Sequence, residues 1–119
     1  MSSEKKYLNA ADIFGADDRE IKEVEIPEWG GFVRFRVLSA AEALTFQESL
    51  NTPSMKADAW IRMFMLCAVD TDNKPLFTKE DLLRLKQKSA GIFLRLQKAL
   101  LKFNGFTADA EDLLDAKND

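Results

Sequence analysis

The chain has 119 residues, 46% of them hydrophobic, with 20 acidic and 17 basic side chains, one cysteine and no histidine. That size supports one compact domain with a modest core, and the missing histidine removes most general-base, triad and transition-metal schemes. No apolar run reaches the roughly 18 to 20 residues of a membrane span, and the opening MSSEKKYLNAADIF lacks the apolar block of a secretory signal, so a cytoplasmic protein is expected.

Residues 1–20 are polar and small, and are read as a flexible N-terminal segment whose one apolar cluster, Ile13 and Phe14, docks locally before the main domain begins. Residues 21–106 are read as a single α+β domain, and 107–119 as an acidic C-terminal helix or tail. The domain opens with a β-hairpin. Val24 and Ile26 alternate with Glu23 and Glu25, and Val33, Phe35 and Val37 alternate with Arg34 and Arg36, the period-two pattern of strands with one buried face. A turn at Trp29 and Gly30 sets Ile26 opposite Val33 and Val24 opposite Phe35 inside, with Glu25 opposite Arg34 and Glu23 opposite Arg36 outside. Gly30 and Gly31 permit the positive φ angles of a tight hairpin, and Pro27 is tolerated at a turn entrance.

That register puts Trp29 at an exposed tip, where a tryptophan either folds back over a core edge or anchors a partner. Strand parity places Phe32 outside with Arg34 and Arg36. Trp, Phe and Arg are residue types enriched at the centres of protein interfaces. Trp29, Phe32, Arg34 and Arg36 are therefore the candidate protein-binding residues, and the same edge is a candidate for homo-oligomer formation.

After the hairpin, Ser39-Ala-Ala-Glu42 fits a capping box that starts a helix running to about Leu50. Asn51-Thr-Pro-Ser54 interrupts it. From Met55 to Val69 the chain is apolar on almost every side, which predicts a central buried helix with Arg62 marking its one solvent opening. Cys67 lies in this run and reads as a reduced core residue whose thiol burial suppresses. Asp70 to Pro75 forms a turn, which fails as a calcium loop because Lys74 and Pro75 fall where an oxygen ligand and a glycine belong. Thr78, Asp81 and the pair Phe77 and Leu82 supply a helix start, and that helix ends near Lys88. Ser89 begins another, whose Ile92, Phe93, Leu96, Leu100 and Phe103 recur at three and four residues. Asn104-Gly105 supplies a left-handed C-cap, with Phe106 folding back on Leu101. Thr107 then caps a short acidic helix with Leu113 and Leu114 as its apolar contacts. The expected fold is thus an N-terminal antiparallel β-hairpin packed on a bundle of four to five α-helices.

Charge is segregated along the chain. Residues 79–102 carry seven basic side chains against two acidic ones, a net of +5, and the segment after Phe106 carries five acids against Lys117. Such segregation steers a charged partner, and solvated helix faces produce it equally well. No phosphate-cradling glycine motif, nucleophile with a base, or metal-ligand spacing is present, so no catalytic, cofactor-binding or metal residue is assigned, no cofactor is expected, and the reading is a non-enzyme. The alternative is a small prophage DNA-binding regulator using Lys86, Lys88, Arg95 and Lys98 on the basic helices of 79–102. Against it stand the acidic balance of the whole chain and the lack of a groove-reading motif.

The ordered segments EIPEWGGFVRFRVLSAAE, LCAVDTDNKPLF and LLKFNGF resemble the tail assembly chaperones of long-tailed bacteriophages and prophages. The resemblance covers most of the chain from the hairpin through Phe106. It implies a non-enzymatic protein of the host cytoplasm, not carried into the mature virion, that binds the long, helix-rich tape measure protein and supports polymerisation of tail tube subunits around it. It implies further that a longer form, which could contact the tail tube protein, is made by a one-nucleotide backward ribosomal slip near the end of the frame. Ala116-Lys117-Asn118 is compatible with the slippery run A AAA AAC, which an AAG codon at Lys117 would destroy.

Overall fold

A computed structural model describes residues 5–106. The expected acidic helix after Thr107 and the codons discussed at Ala116 to Asn118 lie outside those residues. The element order is α1 (Ala10–Gly15), β1 (Ile21–Ile26), β2 (Gly31–Arg36), α2 (Ala40–Asn51), α3 (Pro53–Lys56), α4 (Ala59–Cys67), β3 (Ala68–Val69), α5 (Leu82–Leu85) and α6 (Ala90–Phe103), with single 3-10 turns at Pro27–Trp29 and Lys79–Asp81. The molecule is α+β, as its sequence predicts: an antiparallel sheet of order β1-β2-β3 packs on the helices. The third strand is a correction. The apolar run expected to stay helical to Val69 leaves the helix at Cys67, and Ala68 and Val69 pair with Phe35 and Arg34 of β2. Pairing there satisfies backbone groups on the open side of β2, which a two-stranded hairpin would leave bare. The N-terminal end of the same run is corrected too, since Met55 belongs to the one-turn α3 and the central helix starts at Ala59.

The hairpin keeps its faces and changes its register. Val24 pairs with Val33, Glu23 with Arg34, Glu25 with Phe32 and Ile26 with Gly31, two residues away from the expected pairing. The cause is the turn. Pro27, with φ fixed near the helical value, starts a 3-10 turn whose Gly30 adopts φ 80 and donates to the carbonyls of Ile26 and Pro27. Four residues, not two, therefore reverse the chain. A shift of two preserves side-chain parity, so Ile26 and Phe35 are still buried.

Helix boundaries follow local chemistry. Glu42 N–H donates to Ser39 Oγ at 3.1 Å and Ser39 N–H to Glu42 Oε1 at 3.0 Å, the capping box of α2. Ser39 φ and ψ are extended, as an N-cap requires. Ser89 Oγ accepts from Ile92 N–H at the start of α6. At its end Gly105 adopts φ 78, Phe106 N–H donates to the Leu101 carbonyl at 2.8 Å and Gly105 N–H to that of Lys102 at 3.1 Å, a Schellman closure.

Phe64 of α4 is the centre of the core. Phe35 of β2, Phe77 and Phe93 of α6 lie with ring centroids 5.7, 5.5 and 5.2 Å from it. Ile26, Met63, Cys67, Leu96, Leu100 and Leu101 complete a single cluster. The first helix stands apart. Asn9 caps α1 through a reciprocal pair of bonds with Asp12, yet Ile13 and Phe14, expected to dock, are both exposed. The short tether from Gly15 to Glu20 carries no large apolar side chain.

Candidate protein-interaction face

The outer face of β1 and β2 is built by strand alternation. Glu23 and Glu25 come from β1, and Phe32, Arg34 and Arg36 from β2. Phe32 is 67% exposed, a large apolar side chain surrounded by charge. Arg34 is fixed in place. Its Nε and Nη2 both donate to Asn73 Oδ1, at 3.2 and 3.0 Å, and its Nη1 approaches Glu23 at 3.4 Å. The Glu23 pairing differs from the expected Glu25 pairing because of the register shift. Arg36 is half-buried beside Ile21 of the partner strand.

Asn73 can reach Arg34 because of its own backbone. It sits in the left-handed region at φ 65, which asparagine tolerates better than most residues. Asp70 holds the loop in that shape: Oδ1 accepts from Asp72 N–H at 2.8 Å and Lys74 N–H at 3.0 Å. Those two bonds stabilise the ionised form and lower the Asp70 pKa. The loop that superficially suggests calcium thus uses its first carboxylate on its own backbone, and serves to position Asn73 against the sheet.

Trp29 does not share this face. The 3-10 turn swings its indole inward, where it meets Phe64 and Phe93 edge-on, each with centroids 6.0 Å apart. An exposed tip is therefore the wrong description. The large apolar area of an indole outweighs the tip position once a four-residue turn lets it reach the core. The turn is tied down a second time by Glu28, whose two carboxylate oxygens accept from Arg95 of α6 at 3.0 and 2.9 Å. That fork-to-fork pair holds the Glu28 carboxyl far below its ordinary 4.5, at about 2.

Several determinants had no sequence signal, because their partners lie far along the chain. Arg19 donates through Nε to the Val37 carbonyl at 3.0 Å and through Nη2 to Glu42 at 2.6 Å, clamping the entry to β1 onto the start of α2. Asn104, expected only as a cap, accepts from Leu38 N–H at 2.7 Å and donates to the Leu100 carbonyl at 2.8 Å and Cys67 Sγ at 3.6 Å. Burial pushes the Cys67 thiol up to about 12, in keeping with a core residue and not a nucleophile. On the basic helices, Arg95 is held by Glu28 and Lys86 lies 3.1 Å from Asp58. Two of the four cations singled out for nucleic acid are thus already paired with carboxylates.

Among the described residues no group of three or more His, Cys, Asp or Glu side chains could hold a metal ion, and no helix is long and apolar enough to cross a membrane. No protein-family model matches the sequence, and no curated protein matches it. Among solved structures, the tail assembly chaperone of bacteriophage HK97 superposes with a TM-score of 0.58 at 25% sequence identity, over 77% of this chain and 89% of that one. In fold and in extent, the chain resembles a bacteriophage tail assembly chaperone.

Proposed function

We propose that this protein is a non-enzymatic phage tail assembly chaperone, acting in the host cytoplasm and absent from the mature virion, that binds the tape measure protein and supports assembly of the tail tube. The observation that carries the reading is the shared fold with the HK97 protein over most of both chains. Residues 21–106 are the chaperone unit in this reading, with 1–20 and 107–119 as its extensions.

The outer face of the hairpin is the proposed contact. Exposed Phe32 supplies an apolar anchor, and Arg34, held by Asn73 and Glu23, supplies a cation that loses little freedom on binding. Arg36 extends the same stripe. Trp29 supports the face from beneath by fixing the turn on Phe64 and Phe93. A helical partner with an apolar stripe edged by carboxylates suits this pattern.

Co-expression with the tape measure protein encoded by the same phage or prophage tests the assignment. A soluble complex is expected, weakened at least tenfold by Phe32→Ala with Arg36→Ala while the free chain melts unchanged. Loss of the complex only when the basic helices are altered would move the interface there. The proposed longer form is read from the coding DNA: A AAA AAC across Ala116 to Asn118 followed by an overlapping −1 frame supports it, and any other codon at Lys117 removes this site.

A further inference from the structure

Along α4, Ala59, Met63 and Cys67 recur at every fourth residue and are fully buried, so Arg62, Met65 and Leu66 lie on the other side of the helix. That side opens on a groove of about 540 Å³, where Met55, Met65, Leu66, Phe77 and Leu82 are all partly exposed. Two cations, Arg62 and Lys79, line it, and no carboxylate does. The acids beside Lys79 are turned elsewhere: Glu80 accepts from the Thr78 hydroxyl and Asp81 from Thr78 N–H. Asp58 lies 3.7 Å from Arg62 but is shared with Lys86, at 3.1 Å. Among the described residues, Arg62 Nε is the one buried side-chain polar atom without a hydrogen-bond partner. Buried donors are almost always satisfied, so this one marks a place for an acceptor beside bare apolar surface.

The sequence after Phe106, TADAEDLLDAKND, has the complementary chemistry and lies outside the described residues. Leu113 and Leu114 are its only large apolar side chains, Glu111, Asp112 and Asp115 flank them, and its five acids face one lysine. Its point of departure is fixed. Phe106 N–H donates to the Leu101 carbonyl and the ring packs on the core. Two residues earlier, Asn104 reaches Cys67 Sγ at the end of α4 and Leu38 N–H at the entry to α2. Leu66, the neighbour of Cys67, already lines the groove, as does Thr45 in α2. The segment therefore leaves the body roughly one helix diameter, about 10 Å, from the groove. The stretch from Phe106 to Leu113 can extend to about 25 Å, ample for that crossing.

We infer that segment 107–119 folds back over α4 of its own chain, with Leu113 and Leu114 seated in the apolar groove and the flanking carboxylates facing Arg62 and Lys79. The contact is intramolecular and leaves the hairpin face free. A tethered segment acts at a high effective concentration, so two leucines and a few charges suffice to hold it. Met55 and Met65 suit a slot that closes around side chains, because they repack at little cost.

Cross-linking tests this in the full-length chain. Thr45 is exposed at the groove, and Cys67 is fully buried and does not compete. A tagged chain carrying Thr45→Cys and Ala110→Cys is mildly oxidised, alone and in a large excess of unaltered chain. A disulfide within the chain is expected, at the same rate in both. Leu113→Ser with Leu114→Ser should slow it at least tenfold, and Asp112→Asn with Asp115→Asn should slow it at least threefold at low salt and less at high salt. In the chain without added cysteines, the double-serine change should shift the methyl NMR signals of Met55 and Met65, leave that of the buried Met63 in place and keep the melting temperature. A disulfide that slows in proportion to dilution by unaltered chain would seat the segment on a second copy and overturn the proposal. A disulfide rate that the double-serine change leaves unaltered, or Met55 and Met65 signals that do not move, overturns it as well.

Discussion

Asn104 joins three elements through one amide. Its oxygen satisfies Leu38 N–H on the link from sheet to α2, and its nitrogen serves the α6 carbonyl of Leu100 and Cys67 of α4. Asn104→Ala should cost about 1 to 3 kcal/mol in urea unfolding, because it strands a half-buried N–H as well as removing the bonds. Asn104→Asp keeps the acceptor for Leu38 but sets a second oxygen against the Leu100 carbonyl, so a smaller loss for Asn104→Asp than for Asn104→Ala would show that the Leu38 bond outweighs the amide's donations. Equal losses in the two variants would show that the Leu38 bond is not the important one. Asn73 matters differently, through a backbone few residues accept. Asn73→Val should cost about 1 to 2 kcal/mol in the same measurement, since a β-branched side chain is strained at φ 65, whereas Asn73→Gly relieves that strain and frees Arg34.

At the scale of elements, caps and packing can be separated by substitution. Gly105→Ala places a Cβ in open space, with no atom within 4 Å, so its cost is the backbone strain of φ 78 alone, about 1 to 2 kcal/mol. Ser39→Ala removes an N-cap oxygen from α2 and should cost about 0.5 to 2 kcal/mol. Phe64→Ala removes the ring on which Trp29, Phe35, Phe77 and Phe93 converge, and should cost about 3 to 5 kcal/mol. Chemical denaturation ranks these three. A Phe64→Ala loss no larger than that of Ser39→Ala would contradict the central place given to α4. The hairpin register shows why such a ranking was not all readable from sequence. Alternation specifies faces only modulo two, and the choice between a two-residue and a four-residue turn rests on Pro27 and on where the Trp29 indole finds apolar surface.

Across the whole molecule, the Glu28 and Arg95 pair closes the hairpin turn onto α6, two points 67 residues apart. Its folded-state pKa of about 2 lies below the ordinary 4.5, so the pair's contribution to stability is present above pH 4.5 and is lost as pH falls through 2. Thermal unfolding followed from pH 7 to 2 should show Glu28→Gln below the unaltered chain at neutral pH, with the gap closing between 4.5 and 2. A gap constant across that window would mean the carboxylate is not held by Arg95. Both side chains are about half exposed, and added salt should narrow the gap as well.

The α+β class, the two faces of the hairpin, the Ser39 and Ser89 starts and the Gly105 stop were all written locally, in period-two alternation, side-chain caps and a residue free to take positive φ. So was the exposed Phe32, by strand parity. What only the tertiary structure decided are contacts whose partners lie many residues apart. The third strand forms because β2 has a free edge, and Trp29 turns inward because Phe64 and Phe93 wait there. Arg34 is held by an asparagine 39 residues away, and Arg19 by a carboxylate 23 residues away. A local pattern records the preference of a residue for a conformation or a face. It carries no record of which distant group will fill the space or accept the proton, because that is settled only when the whole core closes.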